Sequence, residues 1–300
     1  MKYILLFLLS FINILPSYSQ TNTPAGMQLL EKIQTELAKQ KGIFALAFTN
    51  LQTQEQIVWN GAMSFHAAST MKTPVMIEVF KQAAEGKFSL TDKIKIKNEF
   101  KSIVDSSIYH LNPADDSQEE LYKQVGAELP LADLVYQMII MSSNLATNII
   151  MEMVGGKNVT QTMRSLGAEN IQVLRGVEDQ KAFDKGLNNT TTAYDLMRIF
   201  NQMADGRIVS KKACDDMIHI LLDQTHNTLI PALLPNGVKV AHKTGTITGV
   251  HHDSGIVFLP DGRKYTLVIL SKSLEDDATA TASMARVSEM IYQYVMQIKG

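Results

Sequence analysis

The chain has 300 residues, of which 45% are hydrophobic and 19% charged, the proportions of a folded globular protein and not of a disordered one. Lys+Arg 28 nearly balances Asp+Glu 30, and the net charge of −2 comes with both signs spread along the sequence, which argues against a nucleic-acid binder. The single cysteine, Cys214, excludes an intrachain disulfide and any cysteine-built metal cluster.

Lys2 precedes an apolar run from Tyr3 to Leu15, and Ser17 and Ser19 supply small residues before Gln20. This pattern reads as an export signal covering residues 1–19, cleaved near Ser19-Gln20. The run falls short of the ~20 residues that span a bilayer, and no cysteine lies beside the cut to carry a lipid. A periplasmic or secreted protein without a stable membrane anchor is therefore expected, with Cys214 as a buried thiol.

Met27, Leu30, Ile33 and Leu37 recur at helical spacing, and Gly42 ends that helix. Ile43 to Thr49 and Gln56 to Trp59 read as strands joined by the polar turn Asn50 to Gln54. The stretch from about 74 to 236 is mostly helical in pattern. Within it, Lys93-Ile94-Lys95-Ile96-Lys97 reads as a solvated strand face, and Asp115, Asp116, Glu119 and Glu120 read as an exposed helix start. Val238 to Ile247 is strand-like, and Ser254 to Leu259 and Tyr265 to Ser271 flank the turn Pro260-Asp261-Gly262-Arg263. Met284, Val287, Ile291, Tyr294 and Ile298 then form a closing helical stripe. The simplest assembly is an α+β, sandwich-type fold: one antiparallel sheet built from both chain ends (about 20–73 and 237–300), covered by terminal helices, with an all-helical region (about 74–236) inserted. The cleft between the two parts is the natural site. Nothing in the sequence calls for more than a monomer.

Ser69-Thr70-Met71-Lys72 places a serine and a lysine three apart, on one helix face and within reach of each other. A lysine in a dry, positive site loses basicity and can accept a serine proton. A serine at a helix start also has free backbone N–H groups and the helix dipole beside it, which favour an oxyanion. Alone this tetrad is weak evidence. Ser142-Ser143-Asn144 and Lys243-Thr244-Gly245-Thr246 follow in order, the first after the apolar stretch Leu134 to Met141 and the second within a strand pattern.

The three motifs together resemble those of the penicillin-recognising serine hydrolases, specifically the class A β-lactamases and their relatives. The flanks agree: Ser142-Ser143-Asn144-Leu145-Ala146-Thr147-Asn148 is similar to the family's S-D-N-x-A-x-N. The resemblance covers essentially the whole chain after residue 19 and implies a β-lactamase/transpeptidase-like fold, a small-molecule β-lactam substrate, no cofactor and no metal. It implies Ser69 as the acylated nucleophile, Lys72 as its proton acceptor, and Ser142 as the donor to the leaving nitrogen. Asn144 would bind the substrate side-chain amide, Lys243 and Thr244 its carboxylate, and the N–H groups of Ser69 and Thr246, beside Gly245, the oxyanion.

The sequence departs from the family at one loop. The deacylating glutamate of an R-x-E opening is expected at Val177, whereas Arg175-Gly176-Val177-Glu178-Asp179 carries Glu178 one position later. Neither Lys181 nor Ala182 supplies the water-holding asparagine that follows in the family. Two readings stay open: Glu178 or Asp179 positions the water in a rebuilt loop, or Glu178 is structural, paired with Arg175, and deacylation is slow. The rival functions are a D-Ala-D-Ala-directed penicillin-binding peptidase and a non-catalytic β-lactam sensor. Ser143, where the family has Asp, is a milder departure. Tyr109 and His110 are candidates for an aromatic cleft wall. His251-His252-Asp253 is rejected as a metal site, because adjacent strand residues point to opposite faces.

Overall fold

The computed structural model describes residues 23–298, so the proposed export signal lies outside the described residues. Five antiparallel strands form the main sheet: β1 (Ile43–Asn50), β2 (Gln56–Trp59), β3 (Lys239–Ile247), β4 (Val250–Phe258) and β5 (Lys264–Lys272). Their spatial order, β2-β1-β5-β4-β3, joins the two chain ends through the β1–β5 pair, with Ala47 opposite Val268. The reading of one sheet built from both ends is thus met. At the Pro260–Arg263 turn, Gly262 has φ +87°, a conformation that glycine adopts without strain.

Both faces of the sheet are covered. Ala45 and Ala47 of β1, with Val268 and Leu270 of β5, face the core beneath the inserted helices. Phe44, Leu46 and Phe48, with Tyr265, Leu267 and Ile269, face a second core closed by the terminal helices α1 (Pro24–Leu37) and α7 (Asp277–Gln297). In β1 the alternation therefore sorts small residues to one side and large ones to the other, although nearly every position is buried.

In α1 the buried face is Gly26, Leu29, Ile33, Glu36 and Leu37, while Met27 is 48% exposed. The sequence stripe was thus one residue out of phase at its start. A side chain at Gly26 would meet Glu55 Oε1 at 2.9 Å, so the helix turns its glycine inward there. Ile298 caps α7 and is not part of it.

The inserted region carries the helices α2 (Lys72–Ala84), α3 (Leu131–Ile140), α4 (Asn144–Val154), α5 (Ala193–Ala204) and α6 (Lys211–Leu222). Side-chain caps set several starts: Ser143 Oγ accepts from Ala146 N, and Thr192 Oγ1 accepts from Asp195 N. Short strand pairs also occur in it, among them Lys93–Lys95 with Glu128–Pro130, where the lysines are exposed and Ile96 just beyond is buried. Cys214 is fully buried, its Sγ donating to Ile208 O.

Candidate active site

Three segments meet at one end of the sheet. Ser69 lies in a 3₁₀ turn, Ala68–Met71, that runs directly into α2. Ser142 lies in the turn between α3 and α4, and Lys243 in β3. Contact between β3 and the Ser69 turn is close at Gly245. A Cβ on Gly245 would stand 3.1 Å from both Ser69 N and Thr70 N.

Lys72 and Lys243 are both fully buried. Lys72 Nζ donates to Ser142 O (2.6 Å), Asn144 Oδ1 (2.9 Å) and Ser142 Oγ (3.1 Å). Lys243 Nζ donates to the same Ser142 Oγ (3.0 Å) and to Thr244 O (2.9 Å). One hydroxyl is thereby held between two amines. Burial brings the Lys72 pKa down to about 7, against the opposing pull of Asp116 and Glu178. Burial, and then the nearby Lys72 charge, push Lys243 well below the ordinary lysine range. Ser142 itself has φ +59°, a strained backbone for a residue other than glycine.

A cleft of about 480 Å³ opens beside Ser69, lined among others by Asn144, Glu178, Thr246 and Phe183. The loop that forms one wall is fastened at its neck. Asn189 Oδ1 accepts from Leu174 N and Arg175 N, and the Arg175 guanidinium donates to Leu187 O, Gly176 O and Asn188 Oδ1. The suggested Arg175–Glu178 pair is therefore corrected, because the arginine is committed to closing the loop. Asn148 clamps Val177 through both backbone groups: Val177 N donates to Asn148 Oδ1 (2.7 Å), and Asn148 Nδ2 donates to Val177 O (3.0 Å).

Glu178 then adopts φ +61°. Its Oε1 accepts from Asn144 Nδ2 at 2.9 Å, placing the carboxylate one amide away from Lys72. The side chain is exposed overall, yet its carboxyl is partly desolvated in the cleft, and this raises its pKa. With this left-handed backbone, Glu178 lines the same cleft as Ser69. Asp179 points the other way, into the protein. Its carboxylate accepts from Ser102 Oγ (2.8 Å), Ile103 N (2.9 Å) and Ala182 N (3.2 Å), and so anchors the loop.

Tyr109 is a further correction. It does not line the cleft beside Ser69; it sits behind the loop, its hydroxyl donating to Val177 O (3.3 Å) and accepting from Asn148 Nδ2 (3.2 Å). His110 is exposed. Thr244 and Gly245 are buried in β3, while Thr246 is exposed on the cleft wall. His251 and His252 do diverge. His251 Nδ1 meets Thr281 Oγ1, whereas the buried His252 donates from Nε2 to His66 O (2.9 Å) and is held down to a pKa of about 4, chiefly by burial.

Asp116 was misread. It is 6% exposed, and its Oδ2 accepts from Asn144 N (2.8 Å), Leu145 N (2.9 Å), Tyr122 Oη (2.9 Å) and Ser143 Oγ (3.4 Å). Nothing local distinguishes it from its acidic neighbours, since the amides it binds lie about 30 positions away.

Comparison with known proteins agrees with this geometry. A model of the β-lactamase enzyme family matches residues 28–295. The extended-spectrum β-lactamase PER-1 of Pseudomonas aeruginosa is 25% identical over 295 residues, covering 95% of this chain and 93% of that protein. A β-lactamase structure from Sphaerobacter thermophilus superposes with a TM-score of 0.76 at 25% identity, over 91% of this chain and 98% of that one. The structure of PBP-A gives 0.77 at 27% identity, over 90% and 97%.

Proposed function

The chain belongs to the β-lactamase enzyme family, and from that premise we propose that it is a serine β-lactamase of the class A type, opening the β-lactam amide through an acyl-serine intermediate. The observation that carries this reading is the Ser142 hydroxyl held between Lys72 and Lys243 at 3.1 and 3.0 Å, with Lys72 one helical turn along the chain from Ser69.

Ser69 Oγ attacks the lactam carbonyl carbon and its proton passes to Lys72. At a pKa of about 7 a large fraction of Lys72 is neutral at physiological pH, and its two N–H groups can satisfy Ser142 O and Asn144 Oδ1 while its lone pair accepts. The N–H of Ser69, with the β3 backbone at Thr246, receives the oxyanion. One such donor is typically worth about 2.7–4 kcal/mol of the barrier. Collapse breaks the C–N bond, Ser142 gives its proton to the leaving nitrogen, and the adjoining lysine amines restore it. Lys243 and Thr244 hold the substrate carboxylate, Lys243 also keeping the local potential positive, and Asn144 offers its amide to the side chain. Water then attacks the acyl carbon with Glu178 as the base, which requires a carboxylate within reach of that water. The elevated Glu178 pKa improves its match to the task.

PBP-A supports a second reading, in which the acyl-enzyme persists. A PBP-A mutant is described as an acyl-enzyme complex with penicillin G, and here Lys181 and Ala182 give the loop no asparagine to share the water. An intact-mass time course with a penicillin and a cephalosporin separates the two. An adduct that rises and then disappears as drug is consumed supports the lactamase, a lasting adduct supports the penicillin-binding reading, and no adduct together with no consumption of drug removes both. We further propose export with removal of residues 1–19, for which the N-terminal mass of secreted protein is the test.

A further inference from the structure

Ser143 leaves the Ser142-Ser143-Asn144 motif without a charge of its own, yet the turn it belongs to is strained and its neighbours must stay in register. The backbone at Ser142 is left-handed, and α4 begins at the next residue but one. We propose that Asp116 is a positioning residue for the acylation step: its carboxylate, brought from a distant segment, fixes the Ser142–Asn144 turn against Lys72.

The geometry is specific. Asp116 Oδ2 takes the first two amides of α4, Asn144 N and Leu145 N, which have no partner within the helix. The anionic end of the side chain lies against the positive end of the helix, where a negative charge is favourable. Asp116 is itself held in place. Tyr122 Oη donates to Oδ2, and Gln118 N donates to Oδ1 at 3.0 Å. Gln118 Nε2 also reaches Gln137 Oε1 (3.1 Å), and the backbone carbonyl of Gln137 accepts from Ser143 N (3.2 Å). The strained turn is therefore fastened to the segment 116–118 directly through Asp116 and, by way of Gln137, through Gln118. Asn144, fixed at its N–H by Asp116, is the residue whose amide bridges Lys72 and Glu178. A shift at this point moves three polar groups together. Asp116 also opposes the loss of the Lys72 proton, so its charge is felt at the base although it touches no reacting atom.

Ser143 Oγ lies 3.4 Å from Asp116 Oδ2, so a carboxylate placed at 143 would enter the same space. This permits a charge-relocation test on the full mature protein. Asp116→Asn, Ser143→Asp and the double variant Asp116→Asn/Ser143→Asp are compared with the parent for melting temperature and for the rate of penicillin G acylation by intact mass. Asp116→Asn is expected to slow acylation about 10- to 100-fold, the scale of a misplaced catalytic group. Ser143→Asp alone is expected to lower the melting temperature, because two carboxylates then share one site. The double variant is expected to recover melting temperature and most of the acylation rate. Parent-like acylation in Asp116→Asn overturns the proposal, as does a double variant no better than either single one. The proposal rests on the acyl-serine reading, but the two fail separately. If the parent neither forms an adduct nor consumes drug, that reading falls, while the melting temperatures of the four proteins still report whether the two positions share one carboxylate role.

Discussion

Lys72 shows how burial produces a base from an ordinary ammonium group. Fully enclosed and facing Lys243 across one hydroxyl, it titrates near 7. The neutral form is the proton acceptor, so acylation is expected to rise about tenfold between pH 6 and pH 8 and then level. Stopped-flow or quenched mass measurement of the adduct isolates this step, and a profile flat across that range would contradict the role given to Lys72. Glu178 supplies the contrasting case of a carboxyl whose acidity is weakened by partial desolvation. Glu178→Gln keeps an acceptor for the Asn144 amide but removes the base. Acylation should stay near the parent rate while the adduct persists, with turnover falling by about 10²-fold or more. If the adduct clears as fast as in the parent, another group activates the water.

The loop from Arg175 to Asn189 is where element geometry overrides sequence position. Asn148 of α4 grips the backbone of Val177, and Gly176 makes that grip possible. A Cβ at Gly176 would fall 2.5 Å from Asn148 Oδ1 and 3.1 Å from Tyr109 Oη. Gly176→Ala is therefore expected to displace Val177 and, with it, the left-handed Glu178. Because Ser69 and Lys72 lie on another element, deacylation should slow by about tenfold or more while acylation changes little. Equal loss in both steps, read from single-turnover mass spectra, would show that the loop also supports the nucleophile.

On the scale of the whole molecule, the sheet separates catalysis from cover. The helical side carries Ser69, Lys72 and Ser142, and the terminal helices close the opposite core. Ile291 of α7 is fully buried there. Ile291→Ala should cost about 2–5 kcal/mol of stability, measured by denaturant unfolding, with acylation of the remaining folded protein unchanged. A kinetic defect in the folded fraction would mean that the sheet transmits packing from one face to the other.

The family and the architecture were readable from the residues alone. Ser69, Lys72, Ser142 and Lys243 were legible because the nucleophile–base pair is local in sequence and its companion motifs recur in a fixed order. The sheet was legible because hydrophobic alternation and the Pro260–Arg263 turn are also local signals. The tertiary structure alone decided what depends on partners far along the chain. It decided which way Glu178 and Asp179 face, that Arg175 closes the loop, that Tyr109 backs the loop without lining the cleft, and that Asp116 is buried under α4. The physical reason is common to all four. A polar side chain's role is set by the donors and acceptors around it, and here those groups come from segments that only folding brings together.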